Sequence, residues 1–261
     1  MQSPTAPLLS WKRSCTAYAF NADFFDQIEA MSEPEARAAF RASFDAWAEV
    51  SCAGRAPFLV EQLAGTTSTA QSEWRREGPN ESVVVGIDEE TWTTLPDHSA
   101  RAVALTLMWH NRRTGEILDT DIELNLGAGK FADCVAGSCS AGMVDLQNTI
   151  THEAGHVLGL GHSADRSATM TAQQVGTVES QKRSLAPDDS AGYCALELPA
   201  HACSAAGCSC AEVLAMLPSS ATSRTSCEAA APGAGRSGWL WLLAALGCMR
   251  CRARARRNGE L

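Results

Sequence analysis

The chain has 261 residues, enough for one sizeable domain and a tail, and its 45% hydrophobic content is ordinary for a globular protein. A net charge of −9 argues against a nucleic-acid partner, which would want a basic surface. Eleven cysteines, with no C-x-x-C pair beside spaced histidines, favour an oxidising compartment over zinc fingers. An extracytoplasmic protein, secreted or attached to the cell envelope, is therefore expected. The odd number leaves at least one thiol free, modified or paired between molecules. Met1 to Ser10 carries neither the basic region nor the apolar region of an export leader. The expectation is a start set too far downstream, with export by another route as the alternative.

Cys15 to Phe20 alternates apolar and smaller residues and predicts a first strand. Ser32-Glu33-Pro34-Glu35 predicts a helix start: Ser32 caps, Glu35 reaches back, and Pro34 is tolerated in the first turn. Ala36, Phe40, Phe44, Trp47 and Val50 then form one apolar stripe suited to packing on a sheet. A disulfide between Cys15 and Cys52 would staple that helix to the sheet. Phe58-Leu59-Val60 and Ser82 to Ile87 predict two more strands, with a polar loop from Gly65 to Asn80 between them. His98 and His110 are isolated, and are expected to be surface or packing histidines.

Val103 to Trp109 is the clearest strand. After a turn at Arg113-Thr114-Gly115, Leu118, Thr120, Ile122 and Leu124 alternate with Asp119, Asp121 and Glu123. That pattern predicts a half-buried strand with a solvated acidic face, and hard oxygen ligands there would also suit Ca²⁺. Cys134 and Cys139 flank four residues that a local disulfide could close, and Asp145 offers a cap to a helix containing Ile150.

That helix carries the stretch Thr151-His152-Glu153-Ala154-Gly155-His156-Val157-Leu158-Gly159-Leu160-Gly161-His162-Ser163. His152 and His156, four apart, project from one helical face and can bind a single Zn²⁺. Gly159 can adopt the left-handed conformation that ends the helix and returns His162 to the same metal. Three protein ligands and an open fourth position make a catalytic zinc layout. Glu153 is poorly placed as a ligand, and is expected to reach a metal-held water as general base.

The spacing H-E-x-x-H-x-x-G-x-x-H, with Ser167-Ala168-Thr169-Met170-Thr171 as a Met-turn, resembles the metzincin zinc endopeptidases. Ser163 after the third histidine resembles the matrixin branch. The resemblance implies an α+β zincin-like fold: a twisted, mostly parallel sheet with packed helices, a zinc helix, a Met-turn and a C-terminal helix. It also implies Met170 as an apolar floor under the metal, and a cleft-lining strand over Gly115–Asn125. Leu185 to Leu196 resembles the last matrixin helix, where Asp188 and Asp189 would anchor the Met-turn. The Pro-x-Tyr that commonly follows the Met-turn is absent, so the specificity-pocket wall must be built differently.

The expected organisation is a catalytic domain over 11–198, a linker rich in Cys, Ala, Ser and Gly over 199–236, and an apolar segment plus arginines over 237–257. Cys227, the apolar run and the arginine cluster resemble a myxobacterial C-terminal sorting tail and suggest membrane or envelope attachment. A chain cut after Ala200 would then stay folded. The expected activity is a monomeric zinc metalloendopeptidase acting on proteins or peptides. A zinc hydrolase of cell-wall crosslinks and a non-catalytic zinc-fold surface protein are the alternatives.

Overall fold

A computed structural model describes residues 7–77, 80–135, 139–173, 179–199 and 209–210. The linker beyond 210, the apolar segment and the arginine cluster lie outside the described residues. Among the described residues no helix is long and apolar enough to cross a membrane.

The core is a six-stranded sheet. Its strands are β1 (Ser10–Trp11), β2 (Cys15–Asn21), β3 (Leu59–Thr67), β4 (Ser82–Ile87), β5 (Ala104–His110) and β6 (Glu116–Asn125). The order β1-β6-β4-β2-β3 is parallel throughout, and β5 runs antiparallel along β6 from Ala104↔Leu124 to His110↔Ile117. This is the expected α+β, mostly parallel arrangement. A separate parallel pair, β7 (Lys130–Ala132) and β8 (Met143–Asp145), leads into the helix that carries the histidines.

Four-residue α1 (Phe24–Gln27) precedes α2 (Glu33–Ala48), which begins as its sequence requires: the Ser32 N–H donates to Glu35 Oε2 at 2.8 Å. Its stripe of Ala36, Phe40, Phe44 and Trp47 is buried, with Tyr18 and Phe20 of β2 packed against Phe40. Val50 falls beyond the end of the helix but still packs on the core. Trp47 Nε1 donates to the Thr151 carbonyl at 2.9 Å and Ser43 Oγ to that of Gln147 at 3.1 Å. These bonds seat α4 (Leu146–Leu158) against α2, and Trp11 Nε1 ties the far end of α4 to β1 through the Val157 carbonyl, 2.8 Å away.

Several expectations are corrected. Strand β3 continues to Thr67, so the polar loop starts later than Gly65. Helix α3 (Glu89–Thr94) was not anticipated, although Asp88 accepts from the Thr91 N–H as its cap and two glutamates follow, which is a legible start signal. The acidic face of β6 is not solvated: Asp119, Asp121 and Glu123 are at most 4% exposed. Each carboxylate is taken up by the chain packed over it. Asp121 accepts from the Val83 and Glu73 N–H groups at 2.8 and 3.1 Å, and Asp119 accepts from Ser82 Oγ at 2.9 Å. Glu123 pairs with His98 at 2.5 Å, which makes His98 a buried packing histidine edge-on to Trp92.

The disulfide expected between Cys15 and Cys52 is replaced by two others. Cys52 bonds Cys194 and Cys15 bonds Cys210, while Cys134 bonds Cys139. The reason is which element packs where. Cys52 lies past the end of α2, beside the closing helix α5 (Pro187–Ala195), and Arg55 donates there to the carbonyls of Tyr193 and Leu196. Cys15 instead has Cys210 packed against it. Residue 210 is thus covalently part of the catalytic domain, beyond the boundary expected at 198.

Candidate active site

Helix α4 presents the central histidines. Asp145 caps it by accepting from the Asn148 N–H at 3.2 Å, and Gly159 ends it at φ +108°, where the Leu160 N–H returns to the Gly155 carbonyl at 2.9 Å. An L side chain at Gly159 would be strained by that φ and would meet the Leu9 carbonyl oxygen at 2.9 Å. The turn brings His162 back to the helix. His162 Nε2 lies 3.3 Å from His152 Nε2 and 3.2 Å from His156 Nε2.

These spacings test the site for a metal. Three nitrogens each about 2.05 Å from a tetrahedral zinc stand roughly 3.3 Å apart. The remaining ring nitrogens of the two helical histidines are already engaged: His152 Nδ1 lies 2.6 Å from the Thr169 carbonyl and His156 Nδ1 2.8 Å from that of Leu160. A carbonyl only accepts, so each Nδ1 carries the proton and each Nε2 lone pair is left for a metal. Burial pushes His152 down to about 3 and also lowers His156 and His162, so all three imidazoles are neutral at pH 7. Among the described residues they are the one group of three or more histidine, cysteine or acidic side chains close enough to share an ion. No such group includes the β6 carboxylates, which leaves the calcium expectation without support.

Glu153 is buried beside the first histidine, and Thr106 Oγ1 of β5 donates to its Oε2 at 2.6 Å. The other oxygen accepts no hydrogen bond from the described residues. Burial raises this carboxyl to about 7. Thr106 was not anticipated, and nothing in its sequence context marks it. The cleft-lining strand was expected at Gly115–Asn125, but β6 is interior, hydrogen-bonded to β5 on one edge and to β1 and β4 on the other. The edge strand is β5, and Ala104 and Leu105 line the cleft with Glu153 and the three histidines.

Below the histidines runs the Met-turn. Met170 is 2% exposed, and a Cβ at Gly155 would stand 2.2 Å from its Sδ. Gly155 is thus a second requirement missed in the sequence, legible only once Met170 is known to pack there. Asp189 of α5 accepts from the N–H groups of Thr169, Met170 and Ala186 at 2.7, 2.9 and 2.8 Å. Asp188 accepts from Ser163 Oγ at 2.6 Å, so both aspartates brace the turn and the residue after His162.

A parallel sheet with one antiparallel edge strand, a helix carrying two of three convergent imidazoles, and a methionine turn beneath them define a zinc metallopeptidase of the metzincin class. Residues 10–196 match the family model for the matrixins, peptidase family M10, and the chain belongs to that family. No curated protein matches the chain.

Proposed function

We propose that the chain is an endopeptidase in which His152, His156 and His162 hold one zinc ion and Glu153 is the general base. The observation that carries this is the convergence of three Nε2 atoms beside a buried carboxylate, one oxygen of which accepts no hydrogen bond from the described residues. When bound, zinc supplies Lewis acidity, which acidifies a water and polarises a peptide carbonyl. Glu153 takes the proton of the attacking water on Oε1 and returns it to the leaving amine nitrogen. Thr106 holds Oε2, so the carboxylate keeps one orientation through both transfers. The outer edge of β5 offers backbone groups to an extended peptide chain, which favours a main-chain peptide substrate over a cell-wall crosslink. Met170 and Gly155 keep the ligand helix and the turn in fixed contact. The three disulfides support an extracytoplasmic setting.

The test isolates Glu153. In Glu153→Gln the side chain keeps its size and can no longer take the proton, so zinc content and folding persist. Loss of general acid–base assistance typically costs ~10²–10⁴ in rate, and one group serves two transfers here, so the upper end is expected. Full zinc with cleavage of casein within about threefold of wild type would overturn the mechanism. Parallel assays on casein and on peptidoglycan separate the substrate classes.

A further inference from the structure

The active-site cleft, a cavity of about 250 Å³, continues from Glu153 along the first turns of α4 to the 3₁₀ turn Gln181–Arg183. No Pro-x-Tyr follows Met170, and among the described residues the chain after the Met-turn lines the cleft with Ala172, Glu179 and Lys182 instead. The turn is fixed to the start of α4. The Lys182 N–H donates to Asn148 Oδ1 at 2.7 Å, and Arg183 donates to the two oxygens of Asp145 at 2.7 and 2.8 Å. A further bond from Arg183 to Gln147 at 2.9 Å makes this wall and the ligand helix one unit.

The charges of this wall are compensated within it. Lys182 and Glu179 form an ion pair at 3.7 Å, with side chains only 10% and 6% exposed, and the buried Asp145 is paired with Arg183. An acidic substrate side chain entering here would meet Glu179 as well as Lys182, and a basic one the reverse. Either would give up its own hydration for one attraction offset by one repulsion. An aliphatic side chain would displace water from these polar groups and offer no hydrogen bond in return. A primary amide escapes both costs. It carries no charge, its oxygen accepts from an ammonium, and its NH₂ donates to a carboxylate. The 3.7 Å separation of the pair lies beyond hydrogen-bond range, so an amide can bond to each partner without displacing a bond between them.

We propose that this ion-paired end of the cleft receives the substrate side chain beside the scissile bond and selects an uncharged amide there, Gln or Asn. The proposal rests on the endopeptidase reading above. It is tested on alanine-rich peptides carrying one Gln, Leu, Glu or Lys, with the cut in each located by mass spectrometry. The Gln peptide should be cut next to its Gln and should exceed the other three at least tenfold in kcat/KM. Lys182→Gln removes the cation of the pair and should move the preference to Lys, while Glu179→Gln should move it to Glu. The exchange of Lys182→Glu with Glu179→Lys should keep Gln first, because an amide turned end for end meets the reversed pair equally well. Zinc content and circular dichroism control each variant. Affinities of the same peptides for zinc-loaded Glu153→Gln protein, read by fluorescence polarisation, should follow the same order. That binding readout stands even if no peptide is cleaved, a result that would sink the endopeptidase reading alone. A wild-type ranking led by Leu, Glu or Lys, equal binding of all four peptides, no binding of any, or a ranking unmoved by both single substitutions would overturn the amide subsite.

Discussion

A proton and a metal ion compete for the same lone pair on each imidazole, so the acid behaviour of the three histidines sets how zinc would be held. Burial lowers all three histidines, His152 most, to about 3. A lowered value means the neutral, metal-binding form persists as pH falls. Three ordinary imidazoles near 6.5 would lose roughly a thousandfold in zinc affinity between pH 7.5 and 5.5. Here His152 stays neutral throughout and the other two are lowered, so the loss should be under about a hundredfold, measured by chelator competition corrected for the chelator's own protons. Gly155 supplies a second test at this scale. An alanine gains about 1 kcal/mol of helix propensity, but its Cβ would lie 2.2 Å from Met170 Sδ and 2.8 Å from Trp47 Cζ2. Overpacking of that kind costs about 1–3 kcal/mol, so Gly155→Ala should lower Tm despite the better helix former. The convergence of the three histidines, with Glu153 beside them, was legible because helical periodicity and a glycine-terminated turn are local properties. Thr106 and Gly155 were not, since their partners lie 47 and 15 residues away.

At the scale of elements, α4, the Met-turn and α5 work as one clamp. Asp189 is its pin, satisfying three backbone N–H groups at once. A buried donor left without an acceptor costs about 1–3 kcal/mol, so Asp189→Ala should lose about 3 kcal/mol or more, read by denaturant unfolding. Zinc affinity should fall with it, because Thr169, whose N–H is released, also orients His152 through its carbonyl. Asp189→Asn keeps one accepting oxygen and should fall between. Strand β6 shows the limit of reading an element by itself. Alternation of acidic and apolar residues described its two faces correctly and assigned the acidic one to water. A strand in mid-sheet can bury carboxylates when neighbouring chain supplies donors, as Val83, Glu73, Ser82 and His98 do here. The edge position of β5, and with it the substrate-facing role proposed for it, followed from strand order, which no local pattern encodes.

For the whole molecule, the disulfides decide where the domain ends. Cys15–Cys210 spans 195 residues, whereas the sequence placed the boundary near 198. A chain cut after Ala200 loses that bond and leaves the Cys15 thiol buried. Removing a disulfide commonly costs about 2–4 kcal/mol, which is roughly 4–16 °C in a domain of this size. Truncation after Ala200 should therefore lower Tm by that amount while zinc stoichiometry stays near one, whereas a cut after Leu217 should leave Tm unchanged. Equal melting of both truncations would show that the bond contributes nothing. By itself the sequence determined what is set within a turn or two of chain: the zinc helix and its glycine stop, the capping box of α2, the alternation of β2 and β6, the apolar run of β4, and the short loop closed by Cys134 and Cys139. Only the tertiary structure decided the strand order that exposes β5, the burial of the acidic strand, and the partners of Cys15 and Cys52. Those depend on which distant surfaces meet, and the meeting is chosen by packing of the whole core, which leaves no signature at any one position.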